Sequence, residues 1–358
     1  MCFVKQNTNL INNNHSIYKY KSISIIMKVI IPVAGVGSRL KPHTHTVPKQ
    51  LMDIAGVPML EYVIKEVLKL KPKEVIFVVG HKKESITKYV NKHFPKLKKS
   101  FVEQKVRDGD GGAVRIGLQN QEKDDELLVV FGDTLVDFDL KKALKKPKCD
   151  ALVFAMEVDT PEHYGVLNVR DNLKVYQLEE KPKKPKSNLA IIGAYYFKSL
   201  LDVKKTLEEI NEKKEVEKGE YRIISVLKRY AKNKNKVVKA SKVKKWFDCG
   251  RVDVLLEANR YFLSKNNKKK TTIVGDSIVI SPSYISKSAK LEKAIIGPYA
   301  SIGDNAKIKN AIIQNSIVNE ETEVYSTILK DSLIGKNVLL KGKSTRVNLG
   351  ENSELRLD

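Results

Sequence analysis

Residues 30–51 read IIPVAGVGSRLKPHTHTVPKQL. A β-branched run breaks at a pair of glycines, and two cations, Arg39 and Lys49, follow within one short excursion. An apolar strand ending in a glycine turn opens a βα unit, and two familiar phosphate loops begin that way. Neither fits here. The GxxxxGK[ST] pattern is absent, and in a dinucleotide fingerprint Leu40 stands where the third glycine belongs. Two glycines still let backbone N–H groups crowd around a phosphate chain. Arg39 and Lys49 add full charge to such a cradle, and Pro42 and Pro48 stiffen it. The stretch is either a polyphosphate-binding loop or an ordinary strand-to-helix turn.

The flanking sequence repeats this rhythm. KVIIPVA (28–34), EVIFVVG (74–80), KSFVEQ (99–104) and ELLVVFGD (126–133) have the run length and β-branching of strands. Between them, VPMLEYVIKEVLKL (57–70) places Leu60, Ile64, Val67 and Leu68 on one helical face, with Pro58 at its start. ESITKYVNKHF and GAVRIGLQ read as further helices. Alternating strands and helices predict a mostly parallel sheet, which binds ligands at the carboxyl ends of its strands. The loops after KVIIPVA and ELLVVF are therefore the first candidates for a site. Further on, DALVFAMEV and AIIGAYYF read as strands and YRIISVLKRYA as a helix.

The character changes after SKNNKKK (264–270), a charged linker in this reading. Apolar residues then recur at Ile285, Leu291, Ile296, Ile302, Ile308, Ile313, Val318, Val324, Leu329, Ile334 and Leu340, in steps of five or six. From Ile302 the repeat settles at sixteen, aligning Ile302 with Val318 and Ile334, and Ile308 with Val324 and Leu340. Gly297, Gly303 and Gly335 follow apolar positions. This is the signature of stacked hexapeptide-type β-helix coils. The organisation expected is a disordered tail or over-extended start over 1–26, a catalytic domain over 27–262, a linker over 263–270, a β-helix over 271–345 and a tail over 346–358.

Composition narrows the function. The chain has 358 residues and a formal net charge of +24, which invites a nucleic-acid reading. Its 66 basic residues, however, include only ten arginines, and the lysines are scattered over helix faces and linkers. Solvated surface charge explains them, and no nucleic-acid partner is expected. The three cysteines form no CxxC, which fits a reducing cytoplasm. No apolar run approaches the roughly 18 residues of a membrane span, and the Asn-rich start lacks the build of a signal peptide. The β-helix stretch contains no histidine, the usual base for acyl transfer. Open coil ends call for a cover, so a homo-oligomer is expected.

GVGSRL followed by PKQL resembles the signature of the nucleotide-sugar pyrophosphorylases, the sugar-1-phosphate nucleotidyltransferases. The similarity continues in the family's order through EQKVRDGDGG (103–112), FGD (131–133), HYGVLNV (163–169), LEEKP (178–182) and WFDCG (246–250), and covers about 27–262. It implies a Rossmann-like α/β catalytic domain with a mixed, mostly parallel sheet, and a left-handed β-helix tail occurs in many relatives. It also implies a nucleoside triphosphate (NTP) and a sugar-1-phosphate as substrates, with Mg²⁺ as cofactor.

The resemblance assigns the nucleotide to Ala34, Gly35, Gly37, Gln104 and Gly109, the base being read by the Gln104 amide. It gives Arg39 and Lys49 to the departing pyrophosphate, and Lys181 to the phosphate of the sugar phosphate. Glu180 takes the sugar hydroxyls, and Gly165 lets the sugar lie against backbone. Asp133 ends a strand, where a carboxylate is either an Mg²⁺ ligand or a helix N-cap; the family reading pairs it with Asp248 as the metal site. LEEKP is otherwise a charged turn, and His43, His45 and His163 are given no role. Asp110, Gly112 and Thr134 depart from the usual pattern. PVAGxG resembles uridylyltransferases while the overall layout resembles thymidylyltransferases, so glucose-1-phosphate with dTTP or UTP is the favoured pair. A mannose-1-phosphate guanylyltransferase and a non-catalytic nucleotide-sugar-binding paralogue are the alternatives.

Overall fold

The structure, a computed structural model, describes residues 27–145, 147–266, 271–342 and 347–357. The tail expected over 1–26 and residues 267–270 of the expected linker lie outside the described residues. A nine-stranded mixed sheet forms the first part. Its main path runs Val175–Glu180, Gly165–Val169, Leu189–Phe197, Glu126–Val130, Met27–Pro32, Glu74–Val79, Lys99–Glu103, with Ala151–Glu157 and Val238–Lys242 off the path. The four strands at the 99–103 end are parallel, as the βα alternation predicted. Leu189–Phe197 joins antiparallel and starts the mixed half. All nine of its residues are buried, because it is covered on both faces.

The helix Met59–Leu68 buries Leu60, Ile64 and Val67 against this sheet. Leu68, expected with them, is 36% exposed, because it lies off the buried stripe. The third helix, Asp110–Leu118, starts two residues before the apolar pattern does. A further helix, Leu200–Glu212, opens on Ser199, whose hydroxyl accepts from Asp202 N–H.

The second part is a left-handed β-helix of three five-stranded sheets. Ile302 pairs with Val318 and Val318 with Ile334, and the Ile308, Val324, Leu340 column is equally in register. These side chains fill the coil interior. Gly303 has no alternative, since a Cβ there would sit 2.6 Å from the backbone nitrogen of Glu320 in the next coil. Two boundaries differ from the sequence expectation. Helix Val252–Asn266 runs into the expected linker, because its own Leu263 is buried. Asn348–Leu349 and Glu354–Leu357 pair with the preceding coil, so the coils continue into the expected tail.

The β-helix packs directly on the sheet domain. Leu40, Ile54, Met59 and Leu255 share one apolar cluster with Ile317 and Leu333 of the coils. Asn259, fully buried, accepts at Oδ1 from Ala55 N–H (2.8 Å) and the Ser301 hydroxyl (2.7 Å), and donates to Tyr299 O. Near this seam, burial and the like charges of Glu320, Asp304 and Glu61 push the Asp53 carboxyl from 3.8 up to about 7. The folded chain therefore keeps a proton that the unfolded chain releases at lower pH. Stability falls as pH rises from 3.8 to about 7. Asp53→Asn removes that loss, so the variant's advantage in thermal unfolding grows through this window and is flat above it. The gain expected is on the order of 2 kcal/mol, and a pH-independent difference would contradict it.

Candidate active site

The parallel strands end where the apolar runs end, and their exits form the site. After Pro32 the chain passes Ala34 and Gly35 and reaches Gly37 at φ +69, a left-handed turn suited to glycine. A Cβ on Gly37 would lie 3.0 Å from Lys49 Cβ and from Thr44 Cγ2, so the loop closes tightly on itself. The Thr44 hydroxyl donates to Gly37 O at 2.9 Å, and buried Leu40 pins the short helix Ser38–Leu40 from below. Gly35, Gly37, Ser38, Arg39, Lys49 and Asp133 border a cavity of about 240 Å³, where the opening stretch would form a cradle.

Two carboxylates meet over this cradle. Asp133 follows the strand Glu126–Val130. Asp248 ends the strand Trp246–Asp248, which pairs antiparallel with Thr134–Val136 and places Asp248 opposite Thr134. Lys49, only 6% exposed, reaches Asp133 Oδ2 at 2.6 Å and Asp248 Oδ1 at 4.0 Å. Arg39, 63% exposed at its side chain, lies 3.6 Å from Asp248 Oδ2. Burial alone would raise the Asp133 carboxyl, but the charge and hydrogen bond of Lys49 outweigh it and hold it below the usual range. Burial likewise opposes the Lys49 ammonium, and Asp133 and Asp248 together raise it. Two carboxylates sharing one cation form an electrostatic site that suits Mg²⁺, an ion bound through one or two carboxylates plus phosphates and water. Among the described residues no group of three or more His, Cys, Asp or Glu could hold a metal.

The residues expected to hold the nucleotide converge beside the cavity of the glycine loop. Ala34, Gly35, Gln104, Gly109 and Asp110 line a cavity of about 250 Å³. The Gln104 amide is oriented by its neighbours: Nε2 donates to Asp108 Oδ1 at 2.8 Å and to Gly109 O at 3.0 Å. This leaves Oε1 as an acceptor. Gly112 is explained by the same carboxylate, since a Cβ there would fall 1.9 Å from Asp108 Oδ1. Gln50, buried, borders both cavities and its Oε1 has no donor.

A larger cavity of about 890 Å³ adjoins them and holds Gly165, Glu180 and Lys181 together with Arg39, Asp133 and Asp248. Gly165 pairs with Glu180 across the sheet, and a Cβ on it would come within 3.1 Å of Glu180 Oε2. Lys181 adopts φ +45 just after the strand, with its N–H donating to Tyr164 O. Burial raises the Glu180 carboxyl, with Arg222 pulling the other way. Every residue given a site role from the resemblance falls within three adjoining cavities.

Sequence reasoning missed Arg222 and left Asp110 as a departure. Arg222 Nη1 bonds Asp110 Oδ2 at 3.0 Å, and Asp110 Oδ1 accepts from Ile223 N–H at 2.6 Å. With Gly111 N–H on Tyr221 O, these contacts lace the segment 220–223 onto the loop that follows Gln104. The extra acidic residue at position 110 was the available signal. His43 is buried with Nε2 on Asn348 Oδ1, a contact between loop and coil.

A family model, Nucleotidyl transferase, matches residues 28–265. The chain is 34% identical to the bifunctional protein GlmU of Methanocaldococcus jannaschii, over 87% of this chain and 78% of that protein. It is 26% identical to a glucose-1-phosphate thymidylyltransferase of Streptomyces antibioticus, over 92% and 99%. A crystal structure of UDP-glucose pyrophosphorylase complexed with UDP-glucose aligns with a TM-score of 0.58 at 26% identity, covering 67% of this chain and all of that one.

Proposed function

Because the chain belongs to the nucleotidyl transferase family, we propose that it joins an NTP to a sugar-1-phosphate, giving a nucleotide sugar and pyrophosphate. The favoured pair is UTP or dTTP with glucose-1-phosphate. The observation that carries this reading is the adjacency of the phosphate cradle, the base cavity and the large cavity around one pair of carboxylates.

In this reading a phosphate oxygen of the sugar phosphate attacks the α-phosphorus in line. A new P–O bond forms, the α–β bridge breaks, and pyrophosphate carries the electron pair away. The nucleophile is already anionic, so positioning and charge stabilisation supply the catalysis. Lys181 orients the nucleophile, and Glu180 accepts from sugar hydroxyls. Arg39 and the N–H groups of the glycine loop hold the departing pyrophosphate. Lys49 holds Asp133 and Asp248 together. Those two carboxylates would hold Mg²⁺, which offsets charge on the nucleotide phosphates when bound.

The fixed Gln104 amide supports the choice of base. Its Oε1 accepts from a ring N–H, which uracil and thymine present and the corresponding nitrogens of cytosine and adenine lack. Guanine also presents one, but the cavity of about 250 Å³ favours a single ring. A methyl group in a pocket is worth only about 1–3 kcal/mol, so uracil and thymine are separated weakly.

Pyrophosphate release across five nucleotides, with glucose- and mannose-1-phosphate, tests the proposal. UTP or dTTP with glucose-1-phosphate should exceed ATP and CTP by at least about a hundredfold, given a buried hydrogen-bond mismatch. No release with any pair, from folded protein that binds nucleotide, would favour the non-catalytic paralogue.

We further infer a homo-oligomer working in a reducing cytoplasm. Cys149 and Cys249 are free and buried. Ile278, Ile295, Ile312 and Ile328 form an in-register ladder on one β-helix sheet. Ile278 and Ile328 are 39% and 49% exposed, which supports an apolar contact between copies. Ile312→Glu is expected to lower the mass by light scattering; a wild-type mass of one chain would overturn the oligomer.

A further inference from the structure

Behind the active-site loop, between the catalytic domain and the coils, lies a fourth cavity, of about 640 Å³. That volume is within the range of small-molecule sites. One wall comes from the segment that carries Lys49 and from the helix after it, and presents His43, Asp53 and Glu61. The other wall comes from successive coil corners and presents Asp304, Glu320 and Glu351. Five carboxylates converge here in a chain whose formal net charge is +24. Lys92, Lys336 and His93 are the other ionisable side chains of basic type on the lining.

The local partners do not neutralise this cluster. Glu61 is held by Lys65 at 2.7 Å and by the Tyr89 hydroxyl, and Glu320 by Lys336 at 2.9 Å. Asp304 accepts from the Ser286 hydroxyl. Asp53 faces the like charges of Glu320, Asp304 and Glu61, which together with burial raise its carboxyl. Glu351 Oε2 is buried without a hydrogen-bond partner. His43 is 4% exposed; its Nε2 donates to Asn348 Oδ1, which leaves Nδ1 as a lone-pair acceptor, and that atom too has no partner. The unsatisfied groups on this lining are therefore acceptors, and a buried acceptor without a donor costs free energy. A compact metal ion does not answer them, because among the described residues no three such side chains are close enough to ligate one. An extended cation with several N–H donors does.

We propose that this interdomain cleft binds an organic polyamine, whose ammonium groups donate to Asp53, Glu351 and His43 and bridge the catalytic domain to the β-helix. The charge of the whole chain repels polycations, so uptake here reflects the local cluster. His43 and Asp53 flank Lys49 in sequence, so an occupant also holds the loop that carries the catalytic-site lysine.

Spermidine is the probe, and the full chain is used without nucleotide, which would itself bind the amine. In thermal unfolding, millimolar spermidine should raise the midpoint by about 3 °C or more over a sodium chloride control of equal ionic strength. In titration calorimetry, the double variant Asp53→Asn, Glu351→Gln should bind at least about tenfold more weakly, the effect of losing two charge-assisted partners. Both changes preserve side-chain shape and remove like charge, so the variant is expected to fold; its midpoint without amine checks this. The proposal is overturned if spermidine gives no shift beyond the salt control. It is equally overturned if the folded double variant binds spermidine as tightly as the wild type, or if magnesium chloride at equal ionic strength gives the same shift, which would mark general screening.

Discussion

Replacing Arg39 with alanine is expected to lower turnover by about a thousandfold while leaving the fold intact. The side chain is 63% exposed and its one described ion pair is with Asp248 at 3.6 Å. Little stability depends on such a group; exposed substitutions usually stay within about 0.5 kcal/mol. The loop keeps its shape through Leu40, Gly37 and the Thr44 hydroxyl, none of which needs the guanidinium. What is lost is charge at the pyrophosphate, where negative charge accumulates as the α–β bridge breaks. An interaction realised mainly in the transition state shows in kcat more than in KM. Initial rates of pyrophosphate release, with a thermal midpoint measured alongside, separate the two effects. Turnover near the wild-type level in Arg39→Ala would remove Arg39 from the reaction.

Asp133→Asn is expected to abolish Mg²⁺-dependent activity and also to destabilise the fold. Lys49 is nearly buried, and its closest counter-charge is Asp133 at 2.6 Å. Neutralising that partner leaves a buried ammonium with Asp248 at 4.0 Å. The amide oxygen still accepts a hydrogen bond, so the expected cost is about 2 kcal/mol, below the value for deleting a partner outright. A Mg²⁺ titration of pyrophosphate release, together with thermal unfolding, checks both parts; an unaltered titration would overturn the metal role.

The pair also makes a statement about pH. The Asp133 carboxyl is lowered from 3.8, so its contribution is present above that value and is lost only as pH falls through the folded value below it. The Lys49 ammonium is raised from 10.5, so its contribution is complete below that and is lost as pH rises through a still higher value. Between the two, stability contributed by this pair is flat, and Asp53 contributes a descending limb from 3.8 to about 7, as other raised carboxyls such as Glu180 do in the same direction.

How far the sequence led depends on whether a contact is local. In the β-helix each coil meets only its neighbour, so Ile302, Val318 and Ile334 must repeat at the spacing of one coil. The pattern is thus written in the residues themselves. The same holds for the phosphate cradle: Gly35, Gly37, Arg39 and Lys49 lie within one excursion, and glycine next to fixed cations has a physical meaning before any fold is known. Helix Leu200–Glu212 escaped notice because a single amphipathic segment among many lysines stands out weakly.

The resemblance paired Asp133 with Asp248, but only the tertiary structure supplies the reason, the pairing of Thr134–Val136 with Trp246–Asp248. The tertiary structure alone joined Asp110 to Arg222 and seated the coils on the loop around Asp53. These contacts close long stretches of chain, and their partners share no period or spacing that a linear reading could detect. They exist because a twisted sheet and a docked solenoid place distant residues at one seam, where burial and charge then decide what each carboxylate can do.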